Sequence, residues 1–538
     1  MGLKPVYRVQ AGSRPMPRMD AEQVPGAPTG PTGQAYPQPF RAASTTRRLV
    51  GWRPSNSGPN SVVSLSAPEL LRRSRDLRRN NPHGKKAMDL YATHIVGTGI
   101  KPRSLCTNTR VRTKLTELFA DWSKVADADG QSDFYGLQAL AVSEMAEGGE
   151  IFARMRTRRL SDGLPVPFQI QLLPAEQLPL TWSVSNCANL VRQGIERDGI
   201  GNRVGYWFYP ENPTDLLATG AGIDMQPGRV DAADVAHMFL VARIGQLRGL
   251  PWLGAAIPSL FQVNDYLDAE LLRKQLAAAN VGFVEQATPE DPTAGDMGAF
   301  GNTSVDQDGG IAVSMEPGTI QYLEPGQKVT FNAPADVGGS FDPFLAANFR
   351  AIAAAAGHLY EELTGDYSKI NDRTFRAAFN TFKRQFRMLQ YNIVVTQLCE
   401  PVWHRFIDYA VASGALPVPK SVADADLRRV DWVTDRWEYL QPVQDIEATG
   451  LEMGLGLKSR TTAAAERGDD IEVVDKQIAD DKKREAGLGL AFGSGLAKAS
   501  ASPDLSGVDQ SGAVTPSASD GAAPAGGQGL GANQGTGQ

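Results

Sequence analysis

The stretch YEELTGDYSKINDRTFRAAFNTFKRQFRMLQ, Tyr360 to Gln390, decides how the rest of the chain is read. Phe375, Phe379, Phe382, Phe386, Leu389 and Ile393 recur at alternating four- and three-residue steps, which winds them into one apolar seam along a helix. Arg376, Lys383, Arg384 and Arg387 fall at offsets of 0, 7, 8 and 11 and gather on one side of that helix. The pattern predicts a long helix over about 374–410, closed by Gly414. One packed face and one cationic face suit either ordinary amphipathic packing or a surface turned toward a polyanion or an acidic neighbour.

Working outward, 341–362 and 255–279 read as two further helices, the latter with Leu260, Val263, Leu267 and Leu271 on one face. Between them, 281–335 reads as strands and loops (GFVEQ, GGIAVSM, TIQYLEPGQKVTF). Upstream, EGGEIFARMRTRR, PFQIQLLPAEQL, NLVRQGIERDGIGNRVGYWFYP and DVAHMFLVAR are short β-favouring runs split by Gly, Pro and Asp turns, so 149–243 reads as an antiparallel β region. Helices are expected at 66–96, with Ser66 as the cap and a break before Pro82, and at 110–126 and 133–147. The first is basic: Arg72, Arg73, Arg75, Arg78, Arg79, Lys85 and Lys86 stand against one acid, Asp76, with Arg72, Arg75 and Arg79 on one face. Such a stripe suits phosphate contact, a solvated face or an acidic partner. The span 436–485 is helical and strongly charged. Residues 1–60 hold ten prolines and seven glycines, and 486–538 thirteen glycines with a single aromatic, Phe492. Both ends are expected to be disordered arms, because such composition cannot bury enough apolar surface to offset its ordering entropy.

The chain has 538 residues, enough for two or three domains, and 54 Lys+Arg against 60 Asp+Glu give a net charge of −6, which excludes a histone-like polycation. Cys106, Cys187 and Cys399 lie far apart, and the five histidines are scattered, so neither a disulfide framework nor a zinc site is expected. The most apolar stretch, 341–360, is interrupted by Asp342, Pro343, Arg350, Gly357 and His358, so no membrane span is expected, and the N-terminus carries no apolar signal core. There is no G-x-x-x-x-G-K-[ST], no H-E-x-x-H and no G-x-S-x-G. VADADGQSD places Asp127 and Asp129 like calcium-loop ligands, but Val125 and Gly136 occupy the first and last ligand positions, so it reads as a polar loop. Gly97-Thr98-Gly99 follows a helix, the wrong setting for dinucleotide phosphates. No catalytic residue, cofactor or metal is expected.

Five blocks, in order, resemble the lambda family of tailed-phage portal proteins: Arg75 to Arg103, with Arg-Asn-Asn-Pro and Val-Gly-Thr-Gly; Glu147-Gly-Gly-Glu150; Arg243 to Pro251, with Gly245, Gln246, Arg248 and Gly249; Tyr360 to Gln390, with Thr364, Gly365, Asp366 and Tyr367; and Leu455 to Asp481. One departure is visible: Asn371-Asp372-Arg373-Thr374-Phe375 stands where the family pattern has Asn-Tyr-Ser-Ser before the Arg-Ala pair. The resemblance implies an α+β portal fold: a wing over 61–254, helical then β-rich; a stem helix over 255–280; a β-rich clip over 281–340; a second stem helix over 341–362; a channel loop over 363–374; a long helix and wing over 375–435; and a helical crown over 436–485. It implies a ring of this chain, usually twelve copies, at one capsid vertex of the virion, assembled in the host cytoplasm. Partners would be double-stranded DNA without sequence specificity, the terminase large subunit, major capsid and scaffold proteins, and head–tail connector proteins, with no membrane. Lys369, Arg373, Arg376, Lys383, Arg384 and Arg387 become DNA-facing candidates, and Arg72, Arg75, Arg78, Arg79, Lys85 and Lys86 a second basic set. A minor capsid or head-completion protein without a channel is the alternative.

Overall fold

The structure is a computed structural model; it describes residues 54–184, 189–215, 225–278, 341–435, 437 and 441–490, together with four three-residue strands between 282 and 322. The chain divides into two units, Met1–Asp470 and Ile471–Gln538. Most of the two expected arms, Cys187 and most of the expected clip lie outside the described residues, while Pro59–Asn60 of the first arm and 486–488 of the second are helical.

The first unit opens with α1 (Pro59–Asn80) and α2 (Pro82–Ile95), followed by β1 (Lys101–Ser104), α3 (Thr109–Ser123) and α4 (Phe134–Gly148). Helix α1 begins seven residues before the expected cap and carries Pro68 inside it. Tertiary bonds override the local signal: the Asn60 side chain donates to Gly245 O at 2.9 Å and accepts from Leu247 N at 2.9 Å, which fixes the first turn from outside. Asn81 separates α1 from α2 and accepts from Gly84 N with its side chain, the cap that Pro82 at the first helical position calls for.

Next come β2 (Glu150–Thr157), β3 (Phe168–Pro174), β4 (Leu190–Arg192), β5 (Ile195–Arg197), β6 (Arg203–Phe208), β7 (Gly228–Asp231) and β8 (Val235–Phe239). They form two antiparallel sheets, ordered β3-β2-β8 and β4-β5-β6-β7. Strand β2 is covered on both faces. Ile151, Ala153 and Met155 join the main core with the helices, while Phe152 joins Leu178, Ile195, Tyr206, Phe208 and Leu247 in a smaller core between the sheets. The two-residue alternation of the strand thus divides one sequence between two cores.

Beyond α5 (Ile257–Ala278) lie β9 (Gly282–Val284), β10 (Thr303–Val305), β11 (Ile311–Val313) and β12 (Ile320–Tyr322), then α6 (Phe341–Ala356), α7 (Tyr360–Thr364) and α8 (Asp372–Leu389). The single helix expected over 341–362 is therefore two. Gly357, at φ +72°, reverses the chain after α6 in a left-handed conformation that favours glycine, and a Cβ there would push aside the amide of the Gln385 side chain on α8. Helix α8 continues through a π-helical stretch, Gln390–Cys399, into α9 (Glu400–Ala412); α10 (Asp424–Leu427), β13 (Val430–Val433), α11 (Pro442–Gly454) and α12 (Arg460–Ala465) complete the unit. Strand β13 pairs with β1, tying the two ends of the body together. The second unit contributes α13 (Ile471–Leu488), which buries none of its side chains.

The main core is aromatic at its centre. Trp122 is fully buried, stacks on Phe168 at 4.6 Å and donates its indole N–H to Phe168 O at 3.0 Å. Phe119, Phe134, Trp403 and Phe406 surround it. At the onset of the π stretch, buried Gln390 donates to the Ile95 carbonyl at 2.9 Å and satisfies the end of α2. Gln390→Ala is expected to cost about 1–3 kcal/mol in urea unfolding, the penalty for a buried carbonyl left without its donor.

Candidate functional site

The blocks Glu147–Glu150 and Gly245–Pro251, a hundred residues apart, are halves of one interlocked junction. Gly149, at φ +91°, ends α4 and lies so close to the second block that a Cβ would sit 2.4 Å from Leu250 C. A Cβ on Gly249 would sit 2.0 Å from Gly149 O. Two glycines thus let two backbones touch. Immediately beside them, Glu150 accepts from Gly249 N at 3.0 Å and from Arg248 Nε at 2.6 Å. The Arg248 side chain is 1% exposed and also donates to Gln193 O at 2.8 Å and Ala175 O at 3.1 Å, so its charge is carried entirely by protein groups. Gln246 folds the preceding turn, accepting from Ala242 N and Arg243 N and donating to Arg248 O. Gly245, at φ +83°, forms the exposed tip of that turn.

His237 completes the network. Its Nδ1 lies 2.9 Å from an Arg203 nitrogen, which can only donate, so Nδ1 is the acceptor and Nε2 carries the proton given to Glu150 at 3.0 Å. Burial, opposed by Glu150, holds the imidazole down at about 4, hence neutral at pH 7. Burial works against the Glu150 charge, but Arg248 and the His237 hydrogen bond overcome it and hold the carboxyl at about 2. His237 and Arg203 escaped the sequence reading because their partners are distant in sequence and no local spacing marks them.

The block at Thr364–Tyr367 builds a rigid turn. Gly365, at φ +74°, ends α7, Asp366 accepts from Ser368 N and Oγ at 3.1 and 2.6 Å, and Thr364 Oγ1 accepts from Asp366 N. Tyr367 is 55% exposed. Leu363 belongs to α7 and is buried, so the expected loop over 363–374 narrows to 365–371, with Asn371 capping α8. The six expected DNA-facing cations separate. Lys369, Arg373 and Arg384 stand exposed, whereas Arg376, Lys383 and Arg387 line a cleft between α8 and the α11–α12 segment.

The first basic set is also divided, and here the expected stripe needs correcting. Arg75 turns inward, with nitrogens 2.6 Å from Glu144, 3.3 Å from Glu147 and 2.7 Å from Glu176. Arg78 binds Glu147 at 2.8 Å and Ser143 Oγ at 2.7 Å. Three carboxylates contributed by α4 and the turn after β3 outbid solvent for these guanidinium groups. Burial nonetheless pushes Glu144 up to about 6 despite Arg75. Arg72, Arg79, Lys85 and Lys86 remain at the surface, where Arg72 pairs with Glu69 and Lys85 with Asp89. The VADADGQSD segment is a closed turn: the Asp127 carboxylate accepts from the N–H groups of Asp129, Gln131 and Ser132. Among the described residues no cluster of His, Cys, Asp and Glu could hold a metal, and no helix is long and apolar enough to cross a membrane.

The family model described as phage portal protein, lambda family, matches residues 45–390. The chain belongs to the lambda family of phage portal proteins, a structural family. It is 27% identical over 469 residues to the probable portal protein of Halomonas phage phiHAP-1, covering 84% of this chain and 87% of that protein. It is 22% identical over 482 residues to the portal protein of Escherichia phage N15, covering 82% and 88%. It is 20% identical over 493 residues to portal protein B of Escherichia phage lambda, covering 84% and 91%. Among solved structures, a chain from the neck of a native gene transfer agent particle is similar at 16% identity and a TM-score of 0.39, covering 72% of this chain and 91% of that one.

Proposed function

We propose that copies of this portal protein, twelve in the reading the resemblance favours, close head to tail into a ring at one capsid vertex. Its bore passes double-stranded DNA inward during packaging and outward during ejection. The ring would dock the terminase large subunit and, later, the head–tail connector proteins, with major capsid and scaffold proteins around it. A head-to-tail contact that closes on itself needs no partner of another kind to make a channel. The chain itself makes and breaks no covalent bond in this reading.

The observation that carries it is the rigid turn at 365–371, which presents exposed Lys369 at the surface with exposed Arg373 in the first turn of α8. Two cations on a fixed lip suit transient phosphate contact without base reading. Helices α5 and α6, read as the stem, are packed through Tyr266 against Phe344 with ring centroids 5.1 Å apart. Yet α5 leaves Phe261, Leu271 and Leu272 more than half exposed, apolar surface that suits a neighbouring copy.

Imaging the purified assembly tests the ring directly: a closed annulus with a central hole is expected, and a lone subunit under assembly conditions overturns the reading. In assembled rings, Lys369→Gln with Arg373→Gln is expected to leave symmetry unchanged. The same pair is expected to lower the log–log salt slope of duplex binding by roughly one per cation removed. An unchanged slope removes the 365–371 turn from the DNA path.

A further inference from the structure

Three of the six expected DNA-facing cations lie apart from the other three. Arg376, Lys383 and Arg387 line a cleft of about 500 Å³ whose opposite wall is built by α11 and the residues flanking α12, with Asp445, Lys458 and Arg467 among them. This volume falls in the range of small-molecule sites, and the walls belong to one chain. Lys458 is committed to Glu452 and Glu466, pairing with both and offsetting one of their two negative charges. Arg376 and Arg467 hold contacts of their own. Asp445 is the remaining acid of the lining, and its carboxylate accepts from Gln441 N at 3.2 Å. Across the whole lining five cations, Arg376, Lys383, Arg387, Lys458 and Arg467, stand against three carboxylates, Asp445, Glu452 and Glu466, so the cleft keeps a surplus of positive charge.

Lys383 is the informative residue. Its ammonium lies 4.6 Å from the centre of the Phe379 ring and 5.7 Å from that of Trp437, half-buried against aromatic faces. Burial first, and Arg387 second, pull its proton affinity below that of an ordinary lysine, with Asp445 offsetting only part of the effect. A cation held among apolar rings beside a second cation is stabilised by an anion placed between them. Trp437 has its own partners, stacking on His94 with the planes 6° apart, so the rings act as walls to the cation rather than as a platform for a base.

We infer that the cleft between α8 and the α11–α12 segment is a binding site for a small polyphosphate anion, held chiefly by Lys383 and Arg387. The duplex is not its occupant, because two helices of one chain enclose it. The site is separate from the DNA path proposed above and does not depend on it.

The test is titration of the full-length assembled protein with pyrophosphate by calorimetry, in low salt, against Lys383→Met and Arg387→Gln. Methionine keeps the contact with Phe379 and Trp437, and Arg387 is exposed, so both variants preserve the packing. Wild-type binding that weakens about tenfold or more in each variant is the expected result. It should also persist when a short duplex is present in excess. Absence of pyrophosphate binding at millimolar concentration, binding unchanged in both variants, or full displacement by the duplex overturns the assignment. Ring formation, scored on the same samples by electron microscopy, reports separately on the channel reading.

Discussion

Gly249→Ala is expected to destabilise the subunit by about 4 kcal/mol or more, enough to leave little folded protein. The added Cβ would lie 2.0 Å from Gly149 O, 2.6 Å from Gly149 C and 2.9 Å from Glu150 Cβ. Overpacking an ordinary core costs about 1–3 kcal/mol because side chains can rotate away. Here two of the three nearest atoms are backbone, so the two chain segments must part. Parting them also breaks the hydrogen bond from Gly249 N to Glu150 and strips a buried carboxylate of one donor. Gly245→Ala provides the contrast. Nothing lies within 4 Å of its Cβ position, and the cost is the left-handed backbone alone, about 1 kcal/mol. Urea unfolding of both variants checks the pair. Equal losses would show that the two blocks do not interlock as described.

These glycines show what a linear reading can and cannot reach. The seam from Phe375 to Ile393 was legible because helical periodicity is local: Phe382, Phe386, Leu389 and Ile393 are buried as their spacing requires. The π-helical stretch that follows carries no such mark, since its widened turns come from packing around Gln390 and the end of α2. The cations of α1 were visible as a run, but which of them face water was not. Arg75 finds Glu144 and Glu176 at separations of 69 and 101 residues, and no spacing rule connects them. For the same reason nothing local marks the start of α1 ahead of Ser66, because Asn60 owes its order to Gly245 and Leu247. The blocks shared with the family were legible as words. Their physical reason, two backbones in contact over a buried ion pair, appears only when the chain is folded.

Arg248→Met is the second large effect expected, about 3–5 kcal/mol at neutral pH, with a pH signature that loss of packing would not give. Removing the guanidinium leaves the Glu150 charge, 3% exposed, facing a neutral imidazole and one backbone N–H. In the native protein Glu150 sits at about 2, below its usual value, so its contribution is complete above pH 4.5 and is lost as pH falls from there toward 2. The two buried histidines act earlier. His237 and His358 are each held at about 4, chiefly by burial, against an ordinary 6.5. Between those values the unfolded chain binds more protons than the folded one, so stability falls as pH drops from 6.5 to 4, by on the order of 3 kcal/mol per histidine. In Arg248→Met the uncompensated carboxyl titrates higher than in the native protein, and protonating it relieves the burial of a lone charge. The deficit of the variant relative to the native chain is therefore expected to shrink as pH is lowered from 7 toward 4, while both lose stability through their histidines. Adding Glu150→Gln to Arg248→Met should recover part of the loss at pH 7 and make the remaining deficit nearly independent of pH. A constant deficit for the single variant across that range, in urea titrations at several pH values, would mean that Arg248 acts at the junction through its volume and not through its charge.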